Sequence, residues 1–274
     1  SPPLLLCIYA RQQWRAYMHG NFAKLGTGTM QYFVEHLLSV DNPKSKKAVS
    51  FGYLNGIHYM APHGLSGRDL CGNASPGCVG LCLGAHSGAA VRYSRVMDSR
   101  IAKARAFVAD RRAYLEDLHL AIALLDRKAR RAGLKPVVRL NGSTDLAFEG
   151  FRFGDGSTLF SRNPSVQFVD YTKSVRRALK YAEGRMPANY HLTLSRSETN
   201  ESQCMDAMAH GVNVAIVFGS KELPQTYRGI RVLNGDESDL RHLDPQGGFW
   251  IGLTPKGSKA KRDMSGFVVR ELVA

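Results

Sequence analysis

The chain has 274 residues, 44% of them hydrophobic, enough for one large domain or two small ones. Its 37 Lys and Arg outnumber 23 Asp and Glu, and the net charge of +14 favours a polyanionic partner, a nucleic acid or a phosphorylated small molecule. No apolar run reaches the roughly 18 to 20 residues that cross a bilayer, and the five cysteines lack the even spacing of a small secreted disulfide scaffold.

Residues 2–6 are apolar but lack a basic leader, so they do not read as a signal peptide. Residues 1–47 are expected to be an N-terminal extension, and 48–274 a single α/β domain. Gly26, Gly28, Pro43, Gly52, Gly56, Pro62 and Gly64 interrupt any regular pattern from 21 to 66. Residues 48–51 and 57–60 are predicted short strands, joined as a hairpin through Asn55-Gly56. Next comes the longest periodic stretch, 101–132. Ala106, Ala109, Ala113, Leu118, Ala121, Ile122 and Leu125 recur at helical spacing, with a break near Asp110 and a stop at Gly133.

Beyond Gly133 the pattern changes. Short β-rich runs at 136–140, 166–169, 190–194, 212–218 and 249–253 alternate with polar segments, and 175–182 and 198–210 each suit a helix. Strand-then-helix alternation indicates βα units, a parallel sheet and a partial or full (β/α) barrel. Such sheets gather functional residues at the carboxyl ends of their strands. Those ends hold Asn141, Ser143 and Asp145, then Asp170 and Lys173, then Ser195 and Glu198, then Gly219-Ser220-Lys221.

Asp145 and Asp170 are the candidates for acid–base work in one cleft, with Lys173 placed to balance Asp170. Glu198 either contacts a ligand amine or ribose, or forms a capping box with Ser195. His191, inside an apolar run, reads as a core histidine. The carboxylates of 235–239 read as a polar turn. Lys256, Lys259, Lys261 and Arg262 form a basic loop after the last strand, suited to phosphate contacts.

Cys71, Cys78 and Cys82 form a C-x6-C-x3-C loop bent by Gly72, Pro76, Gly77 and Gly80. Glycine lets the backbone fold tightly, so three thiolates can meet at one metal centre. A zinc ion would want a fourth ligand, which His63 or His86 could supply. A [4Fe–4S] cluster on three thiolates would leave one iron open to a small molecule. Cys7 and Cys204 stand alone and read as small buried apolar residues, although either could complete a set of four.

With Ser75-Pro76-Gly77 before its second cysteine, this loop resembles the signature of phage- and prophage-encoded three-cysteine proteins. The resemblance continues through Arg139-Leu140-Asn141-Gly142-Ser143-Thr144-Asp145-Leu146 and Tyr171-Thr172-Lys173 with Arg176. It runs on through Pro187-Ala188-Asn189-Tyr190 into Ser195-Arg196-Ser197-Glu198-Thr199-Asn200, spanning 71–200. Gly235-Asp236, Asp239, Arg241, Asp244-Pro245 and Lys256-Gly257 resemble a narrower group of phage proteins. Those families are similar to radical S-adenosylmethionine (SAM) enzymes. The resemblance implies a [4Fe–4S] cluster on Cys71, Cys78 and Cys82, with SAM at the open iron and Asn141, Ser143, Lys173 and Ser195 as cofactor contacts. It also implies a place in the cytoplasm of a phage-infected or prophage-carrying bacterium.

The expected function is therefore a radical-SAM-like phage enzyme that modifies a nucleic-acid base or a nucleotide. One alternative is a zinc-braced base-exchange enzyme, similar in plan to the tRNA-guanine transglycosylases, with Asp145 or Asp170 as nucleophile. Another is a basic nucleic-acid-binding module with a structural metal.

Overall fold

The apolar, β-branched runs pair side by side in the computed structural model, which describes residues 34–220 and 222–270. Residues 2–6, Cys7 and Lys221 lie outside the described residues. The strands are β1 (Leu38–Ser39), β2 (Tyr53–His58), β3 (Lys135–Arg139), β4 (Gln167–Thr172), β5 (Tyr190–Ser195), β6 (Val214–Phe218), β7 (Thr226–Tyr227), β8 (Ile230–Asn234), β9 (Trp250–Leu253) and β10 (Val268–Val269). They form one sheet in the order β1-β2-β3-β4-β5-β6-β9-β8-β7. The pairings from β2 through β8 are parallel, and β1 and β7 run antiparallel at the two ends. The end strands do not pair with each other, so the expected α/β architecture is present as an open sheet. Val217 pairs with Leu253 on one edge and Val268 on the other. β10 therefore enters where β5 leaves β6.

Side chains alternate between the two faces of each strand. On the outer face, Leu54, Val138, Leu140, Phe168 and Leu192 are buried in one core with Phe107, Leu115, Leu118, Ile122 and Leu125. Those partners come from α5 (Ser94–Ala109) and α6 (Arg111–Arg131), and each fully buried large side chain contributes roughly 1.5–3 kcal/mol. A second core joins Leu194, Val214, Ile216 and Trp250 to Ala178 of α8 (Val175–Ala182) and to Ala207 and Met208 of α9 (Glu201–Ala209). On the inner face, Val137 and Val169 pack against Leu240, from the connection between β8 and β9. That connection crosses the inner face: His242 meets the Tyr53 ring edge-on at 5.0 Å, and Pro245 accepts a hydrogen bond from Asn213 Nδ2 at 2.7 Å.

The break between α5 and α6 falls at Asp110, whose carboxylate accepts the Ala113 N–H at 3.0 Å as an N-cap. Gly133, at φ 66°, provides the left-handed residue after α6. The α8 segment coincides with its predicted span. No helix among the described residues is long and apolar enough to cross a membrane.

Near the start of the domain the structure differs from expectation. Residues 48 and 49 end α1 (Pro43–Val49), and the strand that follows is Tyr53–His58. Asn55-Gly56 lies within this strand and makes no hairpin. A Cβ on Gly56 would come within 2.9 Å of the Leu125 side chain, so glycine there lets α6 seat on the sheet. β1 pairs with β2, so the sheet begins before residue 48. The β7–β8 pair is absent from the predicted strands; all five β8 residues are half-buried or exposed, a pattern without clear alternation.

Candidate functional site

The cysteine loop follows β2, the first parallel strand, and is built from short helical turns. α2 (Pro76–Gly80) starts at Ser75, whose Oγ accepts the Cys78 N–H at 3.2 Å, and Pro76 occupies the first turn, where no N–H is needed. α3 (Leu83–His86) and α4 (Ala89–Arg92) follow. Glu198, beyond β5, latches this loop: its carboxylate accepts the Gly77 N–H at 2.7 Å and the Ser75 hydroxyl at 2.8 Å. Burial raises the Glu198 pKa, but these donors and its own N–H outweigh it and hold the carboxyl below its usual range. Gly77 has no room for a side chain, since a Cβ would lie 2.7 Å from that carboxylate.

Cys71, Cys78 and Cys82 are free, half-buried and lining one cavity of about 470 Å³, with Asp145, Lys173 and Arg139 also on its walls. Cys71 Sγ accepts the His63 N–H at 3.2 Å. Burial pushes the Cys71 thiol up to about 12, and the charges of Cys82, Asp145 and Cys78 add to the rise. Burial also raises Cys78, opposed by the Lys173 ammonium, and Cys82, opposed by the nearby backbone N–H groups of Gly84 and Ala85 and by Arg100. Among the described residues, no three His, Cys, Asp or Glu side chains are grouped so that they could hold a metal ion. His63 lines the cavity, and its buried Nε2 has no hydrogen-bond partner. His86 is not among the cavity-lining residues.

The two aspartates do not face one cleft. Asp145 lines the cavity, with its oxygens taken by the Thr172 hydroxyl (2.8 Å), the Lys173 N–H (2.8 Å) and Arg177 Nη1 (2.7 Å). Asp170 lies within β4 and is 1% exposed. It accepts the Asn141 N–H at 2.7 Å, Asn141 Nδ2 at 3.1 Å and the Tyr190 hydroxyl at 3.1 Å. Its role is to brace Asn141, which in turn shapes the following turn: Oδ1 accepts the Thr144 hydroxyl and the Leu146 N–H, and Nδ2 donates to Leu146 O. The Ser143 hydroxyl donates to Met60 O at 2.6 Å, tying this turn to the segment after β2.

Lys173 does not balance Asp170. Its ammonium donates to Ser195 Oγ at 3.0 Å and Arg196 O at 3.2 Å, and it lies 4.8 Å from the centre of the Phe267 ring. Nor does Glu198 pair with Ser195 in a capping box, because α9 begins after Asn200. Lys256 lines the cavity and pairs with Asp236 at 3.0 Å. Lys259, Lys261 and Arg262 are exposed and away from the cavity lining, on and just after α10 (Gly257–Lys261). Gly219 and Ser220 are also off the cavity, since Gly219 N–H bonds to Val269 O beside β10. His191 is a buried core residue as expected, 2.8 Å from the Tyr181 hydroxyl, and burial lowers its pKa to about 4. Cys204 is likewise buried, in α9.

Sequence reasoning missed Arg139, which lines the cavity and stacks over Tyr171 at 4.7 Å. Both sit at inward positions of parallel strands, and that alternation was the available signal. A family model described as gene product 88 matches residues 36–271, which take in all three clustered cysteines and every strand. The chain belongs to the gene product 88 family. This bears out the phage-type reading of the sequence. No curated protein and no solved structure matches the chain.

In this gene product 88 chain, burial pushes Asp170 up to about 6, against the pull of the Asn141 N–H and of Arg139 and Arg177. The folded state thus keeps a proton that an unfolded aspartate releases near pH 4. The contribution of Asp170 to stability is full below about pH 4 and declines as pH rises through about 6. Urea unfolding from pH 4 to 7 should show the stability of the parent falling relative to Asp170→Asn over that window. A constant difference across the window would refute the assignment.

Proposed function

We propose that the protein is an iron–sulfur enzyme of radical-SAM-like plan, with Cys71, Cys78 and Cys82 as cluster ligands and a nucleic-acid base or nucleotide as substrate. The observation that carries this reading is the meeting of three free, half-buried thiols at one cavity, beside the carboxyl ends of parallel strands. The Cys71 sulfur already accepts a backbone N–H bond, which favours thiolate over thiol. Without a metal their raised pKa values would keep these thiols protonated, whereas ligation deprotonates a coordinating thiol.

Zinc requires its ligands at about 2.0–2.3 Å from a single point, and no three His, Cys, Asp or Glu side chains among the described residues are grouped to hold a metal ion; the choice of a cluster rests on the resemblance carried by the Cys71 to Cys82 loop. A cluster bonds its thiolates to different irons. When bound, a [4Fe–4S] cluster with one open iron supplies an electron for reductive cleavage of the SAM sulfonium.

The residues of this chain hold and charge the site. Glu198 fixes the loop that carries Cys78 through Gly77 and Ser75. Lys173, buried by Ser195 and Phe267, places a positive charge that lowers the Cys78 pKa. Ser195 is thereby a partner of Lys173 first and a ligand contact second. Arg139 and Lys256 offer cations at the cavity wall for a carboxylate or phosphate. Asp145, saturated by Arg177, Thr172 and the Lys173 N–H, orients the turn after β3 rather than carrying a proton. A volume of 470 Å³ falls in the range of small-molecule sites, roughly 300–1,000 Å³.

The test is anaerobic reconstitution with iron and sulfide, followed by reductant and SAM. The expected result is a brown protein absorbing at about 400 nm that releases 5′-deoxyadenosine and methionine. Stoichiometric zinc with no iron uptake would overturn the reading.

A further inference from the structure

We infer that a single strand of nucleic acid lies along a basic groove between α5, α6 and residues 34–43, and that the groove delivers one nucleotide into the cysteine cavity. The groove encloses about 1420 Å³, and its described lining holds eight basic side chains against two acidic ones. Arg95 of α5 and Arg127, Lys128 and Arg131 of α6 stand exposed at its outer end, and none forms an ion pair with a described residue. Arg100 and Arg139 lie at its inner end, each stacked over a tyrosine ring at 4.7 Å.

Several cations outside this row are paired with carboxylates. Arg130, beside the groove cations in sequence, pairs with Asp126 at 2.8 Å, and Arg162, Arg177 and Arg196 are all bound to carboxylates. Arg127 and Arg131 are one helical turn apart, where like charges cost a few tenths of a kcal/mol. A row of unneutralised cations in a concavity is suited to successive phosphates. A free nucleotide would engage only a small part of it, and a lipid surface cannot enter a groove. Residues 1–33 include Arg11, Arg15 and Lys24 but no Asp or Glu, so that segment brings no charge that could neutralise the row.

The groove and the cavity adjoin. Arg139, Gly142, Leu83, Gly84, Pro43 and Lys256 line both. A strand held by its phosphates along α5 and α6 therefore has a doorway through which one nucleotide can turn out of line, into a cavity large enough for it. Strand binding stands on the groove alone. Only the fate of the delivered nucleotide rests on the enzymatic reading.

The test is fluorescence anisotropy of the full chain, iron-free and reconstituted, with labelled oligothymidylate and oligouridylate of about 20 nucleotides across a range of salt. A DNA duplex and anionic lipid vesicles serve as competitors. The expected result is salt-sensitive binding of the single strands, with DNA and RNA arms identifying the natural sugar. Arg127→Ala with Arg131→Ala should make the slope of log affinity against log salt shallower by about 1.4, at about 0.7 for each lost contact. Lys259→Ala with Lys261→Ala should leave it unchanged. Equal slopes for the parent and the Arg127, Arg131 variant would overturn the proposal. So would stronger competition by the duplex or the vesicles, or no binding at all. Iron uptake is read in the same samples, so strand binding without iron sinks the enzymatic reading alone, and iron without strand binding sinks only the groove.

Discussion

Replacement of Cys71, Cys78 or Cys82 by serine is expected to remove almost all iron and sulfide uptake, whereas Cys204→Ala should keep it. The contrast follows from placement. Each of the three lies half-buried on the lining of the same cavity, where burial raises its pKa. Cys204 lies in the core with Ala178, Leu194 and Val214, and its sulfur faces Asn200 at 3.5 Å. A hydroxyl in place of a thiol keeps the size of the ligand but loses the soft thiolate that iron prefers. Glu198→Gln should lie in between, because the amide can still accept one bond from Ser75 or Gly77 but no longer bears the charge that anchors both. The measurement is iron and acid-labile sulfide per chain after anaerobic reconstitution, with folding checked by circular dichroism. Three serine variants with the iron content of the parent would remove the basis of the proposed function.

The second large effect concerns stability. Arg177→Ala should lower the unfolding free energy by about 3–5 kcal/mol, as expected when one partner of a buried ion pair is removed. Arg177 has 7% of its side chain exposed and holds Asp145 at 2.7 Å, Glu149 at 2.7 Å and the Tyr190 hydroxyl at 2.9 Å. Without it, two carboxylates at 11% and 14% exposure lose their ion-pair partner. For a chain of this size the melting temperature should drop by roughly 10 °C. Arg177→Lys should recover only part of the loss, since an ammonium cannot reproduce the two-pronged bond to Glu149. Thermal melts of iron-free protein separate this effect from any effect of the metal. A drop below about 1 kcal/mol, the range of exposed pairs, would show that the network contributes little.

Elements governed by local pattern were legible before any coordinates. The apolar spacing of 101–132 required helix, and Asp110 interrupted it because an aspartate side chain caps a new helix better than it continues an old one. The β-rich runs after Gly133 became β3, β4, β5, β6 and β9, because their apolar side chains can be buried on both faces only in a covered parallel sheet. The three-cysteine loop was legible as a unit, and its thiols do share one cavity.

Other features depended on contacts between residues far apart in the chain. Asn55-Gly56 has the local preference of a turn, yet Leu125 of α6 needs the empty space that Gly56 leaves. Glu198 looked like a cap for the helix beside it, but the open N–H of Gly77, across the site, takes its charge. Lys173 and Asp170 are close in sequence, but alternation along β4 sends them to different partners. The inner-face passage of Leu240 and His242 left no periodic trace, because single side chains from an irregular segment fill that space.

By itself, then, the order of residues determined the break at Asp110 and the stop at Gly133 of the long helical stretch, most of the parallel strands, the strongly basic character and the close spacing of three thiols. Each of these is set by spacing along the chain and by burial of local apolar faces. Only the tertiary structure decided which carboxylates face the cavity, which cations lack an ion-pair partner among the described residues and that the basic groove and the thiol cavity share lining residues. Those outcomes depend on which distant groups compete for the same charge or the same space, and that competition exists only once the elements are packed together.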